Sequence, residues 1–255
     1  MRRVLVLTGA SRGLGAAVAV GAARQGFDLV LNARDEARLE AVAAACRAQG
    51  AQTRLVVGDI AAADTALALI RAAQEHFGRV DALVHNAGVL PPLAPVAEAD
   101  LGAWQRNWEV NFFAAVRLLQ AALPALREQR GRAVLVSSGA AVHPYPTWGA
   151  YGTAKAALNH LAGVVATEEP LVTVVAFRPG VVDTDMQALI RSQGAGVMPP
   201  ALHARFLAYW QEGRLQPPAA VARPLVAVAR AAPPSWSGAF VAYDEARVQA
   251  LLAAR

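Results

Sequence analysis

The sequence predicts a doubly wound α/β fold, Rossmann-like, in which a parallel sheet carries helices on both faces within one domain spanning 1–255. Three observations carry this. Short runs rich in Val and Leu recur along the chain, Ala-rich stretches with helical spacing separate them, and a glycine-rich turn directly follows the first run. The apolar runs fall at 4–7, 29–31, 55–57, 80–84, 133–136, 172–177 and 239–242, each short enough for a buried strand. Helical segments occupy 14–25, 35–48, 62–77, 103–129, 150–167 and 218–230. Parallel strands cannot be joined by tight turns, so a regular alternation of strand and helix implies crossover helices covering the sheet.

Composition narrows the function classes. With 255 residues, 55% of them hydrophobic, the chain can bury the core of one such domain. It has no uninterrupted apolar run near the roughly 18 residues of a membrane span, so no membrane association and a cytoplasmic location are expected. Met1-Arg2-Arg3 leads straight into Val4–Leu7 and then into Thr8-Gly9-Ala10-Ser11, so it reads as the first strand rather than a leader. A net charge of +5 would suit nucleic acid, but the arginines are dispersed singly, with no basic run and no interleaved aromatics, so no nucleic-acid partner is expected. Cys46 has no partner for a disulfide and reads as small helix filler. His76, His160 and His203 lack ligand spacing, so no metal site is expected.

The segment 186–217 interrupts the alternation with Gly194, Gly196 and the pairs Pro199-Pro200 and Pro217-Pro218 around Phe206, Tyr209 and Trp210. It reads as a mobile substrate flap containing an apolar helix, because loops of this length inside compact domains are usually functional.

A cofactor end follows from the first turn. In Gly9, Ser11, Arg12, Gly13, Leu14 and Gly15 the glycines permit a tight turn and close approach of backbone amides to a pyrophosphate at a helix N-terminus. The usual fingerprint closes the second strand with an acid that bonds the ribose 2′-hydroxyl. Here that strand ends Asn32-Ala33-Arg34. With no carboxylate to repel a 2′-phosphate, and with Arg12 and Arg34 able to grip it, NADP(H) fits better than NAD(H).

A chemical end follows from Tyr151 and Lys155, which stand at i and i+4 and so share one helical face. A phenol near pKa 10 needs help as an acid-base catalyst, and a neighbouring ammonium is expected to move it toward 7. Lys155 is the only lysine in a chain whose other basic side chains are arginine, which marks a position needing a compact ammonium. Ser137-Ser138 after one strand, Asn86-Ala87-Gly88 after another, and Asn111 in a long helix supply further polar groups.

These motifs, in this order, resemble the classical short-chain dehydrogenase/reductase family over nearly the whole chain. The match covers Thr8 to Gly15, Asp59, Asn86 to Gly88, Asn111, Ser138, Tyr151 with Lys155, and Pro179-Gly180 with Thr184. The resemblance implies catalytic roles for Ser138, Tyr151, Lys155 and Asn111. Tyr151 would be the general acid, Lys155 would tune it and hold the nicotinamide ribose, Ser138 would orient the carbonyl oxygen, and Asn111 would hold a relay water. It implies cofactor contacts from Asp59 and Ile60 on the adenine side, from Asn86, Ala87 and Gly88, and from Pro179, Gly180, Val182 and Thr184 at the carboxamide. The stretch from Arg178 to Gln187 and the late Gly238 to Asp244 are similar to the sepiapterin reductase and benzil reductase branch, which implies a small-molecule ketone or diketone substrate. His143, Tyr145 and Trp148, together with Ser138 and Tyr151, are expected to line the substrate pocket. His85 stands where the family usually has asparagine and reads as a packing residue beside the adenosine side. Two other functions use the same residues or fold: a 3-oxoacyl thioester reductase, and an NADPH-binding regulator without chemistry. A homodimer or homotetramer is expected through the helices at 103–129 and 150–167, with Trp104, Trp108, Phe112, Phe113, Leu158, Leu161 and Val165 in the seam.

Overall fold

The computed structural model describes residues 2–253; Met1, Ala254 and Arg255, the ends of the expected 1–255 domain, lie outside the described residues. Seven strands form one parallel sheet in the order β3-β2-β1-β4-β5-β6-β7. They are β1 (Arg3–Thr8), β2 (Phe27–Ala33), β3 (Thr53–Val57), β4 (Ala82–His85), β5 (Arg132–Val136), β6 (Thr173–Arg178) and β7 (Phe240–Ala242). All seven residues of β2 are buried, as a strand covered on both faces requires, which explains why it reads as a run rather than an alternation.

The helices divide between two cores. On one face lie α1 (Gly13–Arg24), α2 (Glu36–Arg47), α9 (Pro218–Ala231) and α10 (Ala246–Ala253), closing over Leu5, Leu7, Leu29 and Phe177. On the other lie α3 (Thr65–Phe77), α5 (Ala114–Gln129) and α6 (Gly149–Glu168), closing over Val4, Val6, Leu83 and Leu135, with α4 (Leu101–Trp108) packed beside α6. Between α4 and α5 the residues Glu109–Phe113 form a π turn, so Leu101–Gln129 is one continuous helix. That helix is long and apolar enough to span a membrane, yet half of its most apolar stretch is buried within the protein, with Leu118, Leu119 and Leu126 against the sheet. Leu158 and Val165, assigned from sequence to a subunit seam, face this core instead, because α6 turns that side of its surface to the sheet.

The 186–217 segment is more structured than a loop. It folds as α7 (Asp185–Gln193) and α8 (Pro200–Gln211), and Pro218 belongs to the next helix, α9. Both proline pairs sit where a missing N–H costs nothing, at helix starts. A bridge between Val182 and Gln216 closes the excursion at its base, with Gln216 donating to the Val181 carbonyl at 2.8 Å. Ile190, Met198 and Phe206 are buried against Leu90, Trp148 and Tyr151, forming a third, smaller apolar cluster. This segment is therefore packed onto the body of the protein by its own apolar side chains.

Candidate active site

In a sheet wound outward from its centre, the strand order reverses beside β1, where β1 and β4 send their connections to opposite faces and leave a crevice beyond the strand ends. A cavity of about 710 Å³ occupies that position and extends under α7 and α8. Every residue proposed from sequence to contact cofactor or substrate lines it; Asn111, proposed as catalytic, lies behind the wall.

The glycine turn leaves no room for side chains. Gly9 and Gly13 have φ of +65° and +53°, where other residues are strained. A Cβ on Gly15 would stand 2.0 Å from the Gly9 carbonyl oxygen and 2.6 Å from the Asn86 amide nitrogen. Helix α1 starts here with no side-chain cap and no acid in its first turn, so its free N–H groups and positive dipole end face the cavity. Asn86 laces this turn to β4, its amide donating to the carbonyls of Thr8 and Gly9 at 3.2 and 3.1 Å. The Thr8 hydroxyl accepts the backbone N–H groups of Asn86 and Ala87, both at 3.1 Å, which leaves its own proton for His85 Nδ1 at 3.2 Å. His85 is fully buried between this turn and Lys155 rather than on the adenosine side, because β4 ends beneath the turn. Burial above all, and then the Lys155 charge, push its imidazole down to about 3, so it is neutral.

At the far end, Asp59 accepts from the Ala61 N–H at 3.0 Å and pairs with Arg106 at 2.5 Å; the backbone bond is the main reason its carboxyl lies below the usual range. Arg34 lines the cavity beside it. Arg12 reaches the other way from what the sequence suggested, pairing with Asp185 at 2.6 Å across the cavity. The start of α7 lies directly over the turn, close enough that a Cβ on Gly13 would meet Thr184 Cγ2 at 3.1 Å. That proximity brings the Asp185 carboxylate within reach of Arg12.

At the chemical end, Ser138 caps a short 3₁₀ turn, its hydroxyl accepting from the Ala140 N–H at 3.1 Å, and it faces the Tyr151 phenol from the neighbouring strand end. Lys155 lies one helical turn on, with Nζ 5.6 Å from the Tyr151 ring centre and donating to the Val136 carbonyl at 2.8 Å. Burial pushes the Tyr151 phenol up, against a smaller lowering by the Ser138 hydrogen bond. The expected lowering by Lys155 is therefore not what this environment produces. Burial also pushes the Lys155 ammonium down, to about 7, which weakens the charge that would act on the phenol. Asn111 sits in the π turn, a feature common at functional sites. Its amide donates to Val89 O and Asn107 Oδ1, both at 2.8 Å, and its oxygen accepts from the Val89 N–H at 3.3 Å. Asn111 thus ties the segment following Gly88 to the helix behind Lys155, and a Cβ on Gly88 would meet both Asn111 and Lys155.

Tyr145 and Trp148 line the cavity, stacked at 4.9 Å, and exposed His143 stands at its rim. Sequence reasoning did not assign α7 and α8 to this wall by residue: Met186, Gln187, Phe206, Tyr209 and Arg205 all face the cavity. The aromatic spacing of Phe206 and Tyr209 was the available signal, but which core they would join is not a local property.

Comparison with known proteins places this geometry. Residues 3–195 match the family model described as short chain dehydrogenase. A benzil reductase of Saccharomyces cerevisiae, named as (S)-benzoin forming, is 37% identical over 263 residues, covering 97% of this chain and 98% of that protein. A benzil reductase of Bacillus cereus with the same product is 32% identical over 229 residues, covering 87% and 91%. The crystal structure of the short chain dehydrogenase/reductase YIR035C from Saccharomyces cerevisiae superposes with a TM-score of 0.92 at 34% identity, over 98% of this chain and 99% of that one.

Proposed function

The chain belongs to the short-chain dehydrogenase/reductase family of oxidoreductases, and on that premise we propose that it reduces ketones and diketones with NADPH. The observation that carries the reading is one continuous cavity joining the uncapped start of α1 to Ser138, Tyr151 and Lys155. The residues suit a nicotinamide dinucleotide. A pyrophosphate would lie on the backbone amides of the Gly9–Gly15 turn, in space that any Cβ on Gly15 would close. Arg34, with no carboxylate at the end of β2, favours a 2′-phosphate. Lys155 has N–H groups beyond the one given to Val136, and these would hold the ribose hydroxyls. Thr184 and the backbone near Val182 would hold the carboxamide. The bound nicotinamide would supply the hydride.

The chain's own part is position and a proton. Ser138 and Tyr151 hydroxyls would hold the substrate oxygen between them, and Tyr151 would donate its proton as negative charge develops there. Because burial raises the phenol, it stays protonated at neutral pH, the form an acid needs. Two relatives named as benzil reductases support a diketone as substrate. The test is Tyr151→Phe assayed with NADPH on benzil, sepiapterin and an acetoacetyl thioester. Turnover of the preferred substrate should fall by about 10² to 10⁴ while NADPH binding survives. Retention of more than about a third of the unmodified rate would remove the proton source and favour a cofactor-binding regulator. Preference for the thioester would favour a 3-oxoacyl reductase.

A further inference from the structure

Beyond the reacting groups, the pocket has an unusual outer wall. Trp148 meets Tyr151 edge-on at 6.0 Å, and its indole is stacked by Tyr145 at 4.9 Å and Phe206 at 5.3 Å. Tyr209 follows Phe206 at 6.3 Å. Arg205, one residue before Phe206 on α8, lies over the Tyr209 ring at 5.6 Å and donates to the Tyr209 hydroxyl at 3.4 Å, with Tyr145 nearby. Its guanidinium is thus held at the mouth of the cavity by the Tyr209 phenol and lines it.

Among the described residues, the other arginines lining the cavity have acidic neighbours. Arg12 pairs with Asp185 at 2.6 Å, Arg214 with Glu212 at 2.7 Å, Arg178 with Asp244 at 3.8 Å, and Arg34 lies near Asp59. Arg205 pairs with no carboxylate and has only phenol oxygens beside it. A guanidinium presents five donors in a fork that matches a carboxylate, and Tyr145 and Tyr209 can each add a hydroxyl donor beside it. One uncompensated cation suits one negative charge, hence a carboxylate rather than a phosphate dianion. The stacked Tyr145 and Trp148 stand between this group and Tyr151, so the anion and the reacting carbonyl belong to different parts of one flat molecule.

We propose that the outer pocket is a carboxylate subsite formed by Arg205, Tyr145 and Tyr209, and that the enzyme takes aryl ketones or diketones bearing a carboxylate on the ring remote from the reacting carbonyl. This rests on the ketone-reductase reading above. The test compares benzil carrying a para carboxylate on one ring with its methyl ester, which has the same shape and no charge. The unmodified enzyme should favour the carboxylate by at least about tenfold in kcat/KM, mostly through KM, and added salt should shrink the ratio. Arg205→Leu should bring the ratio to about one, and Arg205→Lys should restore part of it. Turnover of both compounds with a ratio near one, or a ratio that survives Arg205→Leu, overturns the subsite and leaves the reductase reading standing. If neither compound is turned over, the reductase reading fails, and calorimetric binding of biphenyl-4-carboxylate against its methyl ester decides the subsite by the same ratio. An anion preference seen only between the coenzyme A and N-acetylcysteamine thioesters of acetoacetate would assign Arg205 to an acyl carrier's phosphate and overturn the carboxylate.

Discussion

Lys155→Met replaces a cation that the fold encloses almost completely, leaving Lys155 only 3% exposed with a single hydrogen bond, to the Val136 carbonyl. Burial lowers its pKa from 10.5 to about 7. A basic group whose folded pKa lies below its unfolded one destabilises the fold at every pH at which the unfolded chain is protonated. A displacement from 10.5 to about 7 sets a ceiling of about 5 kcal/mol, and relaxation around a buried amine should leave about 2 kcal/mol or more. Between about pH 7 and pH 10 the unfolded chain binds a proton that the folded one does not, so this contribution makes stability rise with pH. Below about pH 7 both states hold the proton and the penalty is complete. Denaturant unfolding of the nucleotide-free protein from about pH 6 to pH 10 should show Lys155→Met gaining most over the unmodified protein at the acid end, and the gain should shrink toward pH 10. Other titrating groups cancel in that difference. A difference flat to within about 0.5 kcal/mol across the range would refute the reasoning, since the ammonium would then be as well accommodated folded as unfolded. Stability gained at neutral pH with activity lost would mark Lys155 as retained for chemistry.

Gly15→Ala should lower nucleotide affinity by at least about tenfold and destabilise by roughly 1–3 kcal/mol, because its Cβ meets backbone that cannot move aside; calorimetric titration and thermal unfolding read both. NADPH should exceed NADH by at least about tenfold in kcat/KM, and Ala33→Asp should erase that preference by repelling the 2′-phosphate; equal use of both cofactors by the unmodified protein would sink the assignment. We also propose a two-fold assembly through α4, α5 and α6, where Phe113 and Val164 are exposed at 42% and 38%. Phe113→Glu should then shift the light-scattering mass to that of a monomer, and a monomeric mass for the unmodified protein would refute the assembly.

The sequence by itself determined the strand and helix alternation, the parallel sheet, the glycine turn and the shared face of Tyr151 and Lys155. Each depends on periodicity or on conformational limits within a few residues, which any chain carries locally. It also brought most of the cavity lining to view, since most of the motifs directly follow a strand and the ends of parallel strands open on the same side of the sheet. It anticipated an apolar helix between the proline pairs, where α8 lies, but not α7 or the packing of either, because their apolar residues face a cluster shared with Trp148 and Tyr151 rather than a sheet. Only the tertiary structure decided what depends on distant partners. Arg12 pairs with Asp185 across 173 positions, His85 lies under the first turn because β1 and β4 are neighbours, and Leu158 and Val165 turn inward because α6 lies on the sheet. The buried pKa values belong to the same class: the i and i+4 spacing brings phenol and ammonium together, but the depth at which α6 packs raises the one and lowers the other.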